Sequence, residues 1–139
     1  MFSWKRPGNL GVRSGRFAPC KRTPNCVSSQ ADPTDAEHYI APIPFKGDAI
    51  AAVRRAVESI PRTSIIQSQL NYHYAEFRTP LMRYVDDVEF FYDDKAGVIH
   101  VRSASRLGRR DFGFNRKRME ELRSLLSASP ARSPRGDVP

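Results

Sequence analysis

The sequence of 139 residues has no long apolar run and only one tryptophan. No stretch approaches the roughly 18 consecutive apolar residues that a membrane helix needs, and the first residues lack the apolar core of a secretory signal. We therefore expect a protein without a membrane span, located in the cytoplasm. Hydrophobic residues make up 40% and the mean hydropathy is -0.55, which favours one folded domain with polar ends over a fully disordered chain.

Acidic residues are missing from residues 1–31, here called the arm, which contain six Lys or Arg. Residues 32–126 hold 15 basic and 14 acidic residues, and residues 127–139 hold two and one, so most of the net charge of +8 lies in the arm. We expect the arm to be a solvated tail, with contact to an anionic surface as the alternative. Nucleic acid ranks last among the partners; it predicts salt-sensitive binding that is lost when residues 1–22 are removed.

Cysteine is also scarce, since Cys20 and Cys26 are the only two. Their spacing matches no common zinc pattern, and the nearest histidine is His38. Because a reducing cytosol disfavours a disulfide, we expect two free structural thiols, with a reversible redox pair and then a metal site as alternatives. Pro19 and Pro24 flank the cysteines and indicate an ordered, turn-rich arm.

Catalytic motifs are absent as well. The sequence contains no nucleophile elbow, phosphate loop, dinucleotide fingerprint or zinc-protease helix motif. An Asp-Phe-Gly tripeptide at residues 111–113 lacks the sequence context of a kinase. We expect no cofactor and no metal, and we favour a non-enzymatic protein over an enzyme.

The hydrophobic periodicity predicts a single α+β domain over residues 32–126, followed by a disordered tail at residues 127–139. A helix begins after the N-cap Asp48 and ends at Pro61, and a second helix covers residues 115–126. Four strands are predicted at residues 64–70, 72–79, 82–92 and 98–106. Short connections favour a four-stranded antiparallel sheet with both helices packed on one face, preceded by an extended Cys- and Pro-containing arm.

Side chains alternate across each strand, so the charges of the sheet collect on one side. This side, here called the polar face, carries Glu76, Arg78, Arg83, Asp87, Glu89, His100 and Arg102. A register with Tyr92 opposite Ile99 would place Glu89 opposite Arg102. We expect the polar face to be solvated and laced with ion pairs, because antiparallel sheets commonly leave one face wet. A binding surface, or a site with paired carboxylates, is the alternative.

Asp86 is predicted to lie on the opposite, apolar face. A buried carboxylate needs a partner or a raised pKa. We expect a structural network that ties the sheet to the final helix, in preference to a catalytic role. The candidate partners are Ser103, Ser105, Arg106, Arg116 and Arg118.

Several short stretches resemble the bacterial and plastid family known as domain of unknown function 1499. The most specific are residues 84–90 (Tyr-Val-Asp-Asp-Val-Glu-Phe) and 101–106 (Val-Arg-Ser-Ala-Ser-Arg). The others are residues 9–12, 24–29, 40–42, 61–63 and 111–116. The resemblance implies a family domain spanning about residues 9 to 126. It implies no reaction, because the family has no securely assigned activity or site.

Three functions remain open. The first is a non-enzymatic accessory domain that binds an unidentified small molecule or protein through Glu76, Arg83, Glu89, Arg102, Arg106 and Arg116. The second is a small enzyme that uses Asp86, Asp87 or Glu89 as acid or base beside His100, with Arg102 or Arg106 holding an anionic substrate. The third is a redox function of Cys20 and Cys26.

Overall fold

The structure, a computed structural model, describes residues 5–81, 84–108 and 113–128. Its elements in chain order are β1 (Cys26–Ser28), β2 (Ile43–Pro44), α1 (Ala49–Glu58), β3 (Thr63–Gln69), β4 (Tyr72–Arg78), β5 (Val85–Asp93), β6 (Val98–Ser105) and α2 (Phe114–Ala128). Arg83, most of the Asp-Phe-Gly tripeptide and most of the predicted tail lie outside the described residues.

The sheet has six strands in the described part of the chain, so the predicted count of four is too low. Strands β3 to β6 form the predicted antiparallel meander, in the order β6-β5-β4-β3. Strands β1 and β2 both pair with the outer edge of β6, β1 opposite residues 102–104 and β2 opposite residues 98–99. With three and two residues they are too short to show an alternation in the sequence. The predicted register is confirmed, with Tyr92 opposite Ile99 and Glu89 opposite Arg102.

Both helices pack on one face of the sheet and complete a two-layer α+β domain. Val53 and Val57 of α1 and Met119 and Leu122 of α2 share a buried cluster with inward strand residues such as Phe90. The predicted N-cap of α1 is confirmed, since the carboxylate of Asp48 accepts a hydrogen bond from the Ala51 amide at 3.1 Å. Among the described helices, none has the length and apolar character needed to cross a membrane.

Asp86 lies on the helix-covered face, as predicted, and is 3% exposed. Its Oδ2 atom is 2.8 Å from Nη1 of Arg118 on α2. The neighbouring Ser103 hydroxyl donates to Oδ1 of Asn115, the second residue of α2. This network ties the sheet to α2 and holds Asp86 in a structural ion pair.

Candidate functional site

The centre of the polar face is buried. The exposed fractions of Glu76, Asp87, Glu89 and Arg102 are 3%, 2%, 0% and 5%, whereas Arg78 at the end of β4 is exposed. The expectation of a solvated face is therefore wrong for this centre. Alternation along a strand tells which side chains share a face, but it does not tell what covers that face.

The arm supplies the cover. Phe17, with Leu10 and Val12 beside it, packs in one cluster with Tyr72 and Tyr74 on β4. The expectation that the arm is a solvated tail is wrong for this packed part of it. The arm has an apolar stripe that the strand aromatics bury, and it carries cations to a face rich in carboxylates.

Arg106 lies at the centre of the buried charges. Its guanidinium donates to Glu76 Oε2 at 2.6 Å and to Asp87 Oδ1 at 2.9 Å. The Tyr74 hydroxyl lies 2.5 Å from Asp87 and 2.8 Å from Glu76, so the two carboxylates share its single proton as hydrogen-bond acceptors. Burial lowers the pKa of Arg106, but the hydrogen bonds and charge of Asp87, together with the hydrogen bonds to Tyr74 and Glu76, outweigh burial, and the net pKa is raised. The cation of Arg106 therefore lies within hydrogen-bond distance of both carboxylates.

Glu76 has a second cationic partner from the arm. The Arg6 Nε atom donates to Glu76 Oε2 at 2.7 Å, and the Arg6 guanidinium lies 5.7 Å from the centre of the Tyr74 ring. Burial alone would raise the pKa of Glu76, but hydrogen bonds from Arg6, Tyr74 and Arg106 lower it to about 2.

This pKa predicts an acid-sensitive contribution to stability. A carboxylate whose pKa is lower in the folded than in the unfolded chain stabilises the folded state. The contribution is fully present at pH values above the ordinary pKa of 4.5 and is lost as the pH falls toward the folded-state pKa of about 2. We expect Glu76→Gln to lower the free energy of unfolding at neutral pH. Between pH 4.5 and about 2, the free energy of unfolding of this variant should fall less steeply than that of the wild type. Urea unfolding across this range measures the slope. The exposed Glu58→Gln is the matched control, and an acid slope equal to that of the wild type in Glu76→Gln would contradict the assignment.

Glu89 forms a second centre beneath the arm. Its Oε2 atom accepts from the Tyr72 hydroxyl at 2.6 Å and from the Gly11 amide at 2.7 Å. Arg102 Nη1 lies 3.6 Å from Oε1, an ion pair without a close hydrogen bond. Burial raises the pKa of Glu89 and lowers that of Arg102. Among the described residues, Oε1 of Glu89 and Nε of Arg102 have no hydrogen-bond partner.

His100 lies apart from these centres. Its Nδ1 atom is 2.9 Å from the Ser29 hydroxyl, and burial lowers its pKa. It lines a cleft of about 700 Å³ beside Arg16 and Phe91. The predicted combination of His100 with Asp87 is not brought together there, because Asp87 lines a different cleft.

This second cleft, here called the arm cleft, has a volume of about 510 Å³. It lies between the arm and the end of β6, at the margin of the covered face. Its walls include Lys5 and Lys21 from the arm, Asp87 from β5, Arg102 and Ala104 from β6, and Arg106 just beyond β6. Two predicted binding residues, Arg102 and Arg106, therefore meet in a concave site.

Cys20 and Cys26 form a disulfide, so the expectation of two free thiols is wrong. The pairing of β1 with β6 places Cys26 opposite Ala104, and the chain turns back to Cys20 within the arm. The closed loop carries Lys21, which lines the arm cleft as Cys26 itself does. The prediction of free thiols assumed a reducing compartment, and the sequence does not show that the arm turns back to bring Cys20 to Cys26.

Arg116 is not part of the polar face. It lies on α2 and donates to the Ala36 carbonyl at 3.1 Å, on the helix side of the sheet. Four residues of the site were not predicted from the sequence: Lys5, Arg6, Lys21 and Tyr72. Tyr72 follows the same alternation as Tyr74 and Glu76, so the strand pattern could have placed it there. Within the described ranges, no three His, Cys, Asp or Glu side chains are placed to share a metal ion.

The fold and the covered face define a two-layer α+β domain whose charged sheet surface is closed by its own N-terminal segment. The model of the family described as "Protein of unknown function (DUF1499)" matches residues 16–126, well over half of the chain. The chain belongs to this family, and the predicted resemblance is confirmed. No curated protein and no solved structure matches the chain. The match includes both cysteines and every residue of the polar face.

Proposed function

We propose that this chain is a small non-enzymatic binding domain that holds a small-molecule ligand in the arm cleft. The observation that carries the proposal is an open cleft at the margin of a face whose acids and bases are already paired with one another. Its volume of about 510 Å³ lies within the range typical of small-molecule sites. The walls of the cleft come both from the arm and from residues 32–126, so both parts of the proposed domain organisation would contact the ligand.

The pairing of the carboxylates favours binding over acid-base catalysis. A general base must reach a proton of the substrate. Asp87 is held by Arg106 and Tyr74, and Glu89 is fully buried beneath the arm. Asp86 is bound to Arg118 on the other face. Because these carboxylates are engaged by other residues, the cleft can bind and orient a charged ligand but offers no free acid or base.

A redox role of the cysteines is the second candidate, and the Cys20–Cys26 disulfide favours it. Disulfides persist mainly in oxidising compartments. The cytoplasmic location remains a prediction from the sequence, and the disulfide favours an oxidising compartment instead. A redox role would require the bond to cycle, whereas the binding proposal needs only that it holds the wall of the cleft.

Filling the cleft tests the binding proposal. Ala104 lines it, so Ala104→Leu should abolish ligand-induced stabilisation in a thermal-shift screen of anionic, cationic, zwitterionic and neutral small molecules. Ala96→Leu, in the exposed β5–β6 turn, adds the same side chain elsewhere and should leave the response unchanged. A screen without any stabilising compound, or hits that Ala104→Leu retains, would count against a ligand in the arm cleft.

A further inference from the structure

We infer that the ligand of the arm cleft is a small, multiply charged anion bearing phosphate or carboxylate groups. The inference rests on the proposed binding function and specifies its ligand. In its described walls the cleft has four cationic side chains, Lys5, Lys21, Arg102 and Arg106, against one carboxylate, Asp87. That carboxylate is already neutralised by Arg106.

The carboxylates of the covered face are all paired with arginines, so none of them is paired with Lys5 or Lys21. Each carboxylate of the face has its own arginine partner: Arg6 lies 2.7 Å from Glu76, Arg106 lies 2.9 Å from Asp87, and Arg102 lies 3.6 Å from Glu89. Lys5 and Lys21 form no ion pair with any residue in the described part of the chain, and both are exposed at the mouth of the cleft. Two positive charges therefore face the cleft without a counter-charge.

A buried donor points the same way. Arg102 is 5% exposed, and its Nε–H has no acceptor among the described residues. A buried donor without an acceptor is costly, so a shift of the Arg102 side chain that brings this N–H to an oxyanion in the cleft would be favourable. Arg102 lines the cleft together with both lysines.

The shape of the site favours a small ligand over a polyanion. The cations converge on one cavity, whereas a nucleic-acid surface spreads its cations along a stripe that follows successive phosphates. A volume of about 510 Å³ accommodates a metabolite-sized anion. The cleft therefore suits a compact molecule with two or more negative charges.

Calorimetric titration of the full chain at constant ionic strength tests the inference, with pyrophosphate, citrate and neutral glycerol as probes. We expect pyrophosphate, citrate or both to bind, and the one that binds identifies the anionic group. The double variant Lys5→Gln/Lys21→Gln should weaken that binding by at least about tenfold, since a hydrogen bond to a charged group is lost with each lysine. Lys46→Gln/Lys117→Gln removes the same charge at exposed positions and should bind like the wild type.

Two outcomes would overturn the inference: neither anion binds, or the Lys5/Lys21 double variant binds them as the wild type does. The proposed function fails separately. If a neutral compound stabilises the chain and Ala104→Leu abolishes the effect, the cleft is a binding site and the anionic ligand class is wrong. All four lysines are exposed, so these variants are expected to fold.

Discussion

Replacing Arg106 by alanine is expected to lower the free energy of unfolding by about 3–5 kcal/mol, because removing one partner of a buried ion pair leaves uncompensated charge. Its guanidinium is the shared partner of Glu76, Asp87 and the Tyr74 hydroxyl. The side chain is 8% exposed, so water cannot easily replace it. Urea unfolding at neutral pH measures the change. A loss below about 1 kcal/mol, the value of an exposed pair, would contradict the central role of Arg106.

Two further variants separate charge from packing. Arg54→Ala breaks the exposed pair with Glu58 and should change stability by less than about 0.5 kcal/mol. Adding Glu76→Gln and Asp87→Asn to Arg106→Ala removes the stranded carboxylates and should recover part of the loss. If the triple variant is no more stable than Arg106→Ala, the loss comes from the missing side-chain volume and not from the charges.

The sheet was predictable because its strands are long enough to carry a period of two. Nine residues of β5 and eight of β6 fix which side chains share a face, and the turn between them fixes the register of Glu89 and Arg102. Asp86 could be assigned to the helix side for the same reason. Strands β1 and β2 could not be predicted, because their extended conformation is set by pairing with β6 and not by the local sequence.

The covering of the polar face was not predictable from periodicity, although the charges contained a hint. Within the described residues, Glu76, Asp87 and Glu89 have close ion-pair partners in only two arginines on or just after β6, Arg102 and Arg106, and Arg6 from the arm adds a third. The exposed Arg78 lies farther away, 3.8 Å from Glu76. An arm without acidic residues is the complement of such a face. The two charge patterns could not be connected from the sequence, because nothing in a single sequence shows that distant segments meet.

The closed loop of the arm is the second feature with a large expected effect. Cys20 and Cys26 are six residues apart, and a crosslink over such a short loop stabilises by about 2–3 kcal/mol in the chain-entropy account. The double variant Cys20→Ala/Cys26→Ala should lose about this much in urea unfolding under non-reducing conditions. A dithiol reductant should lower the wild type to the level of the variant and leave the variant itself unchanged. A wild-type midpoint that does not respond to full reduction would contradict the prediction.

Amide exchange shows whether the disulfide also holds the arm on the sheet. The Gly11 amide donates to Glu89, and the Phe17 amide donates to the Gln30 side chain. Both protons should exchange faster than in the wild type once the bond is removed, beyond the change in global stability, if the arm opens locally. Exchange that rises only with global unfolding would mean that Arg6 and the Phe17 cluster hold the arm without the disulfide. In that case the bond contributes only to the stability of the chain, and reduction should leave the arm cleft intact in the folded protein.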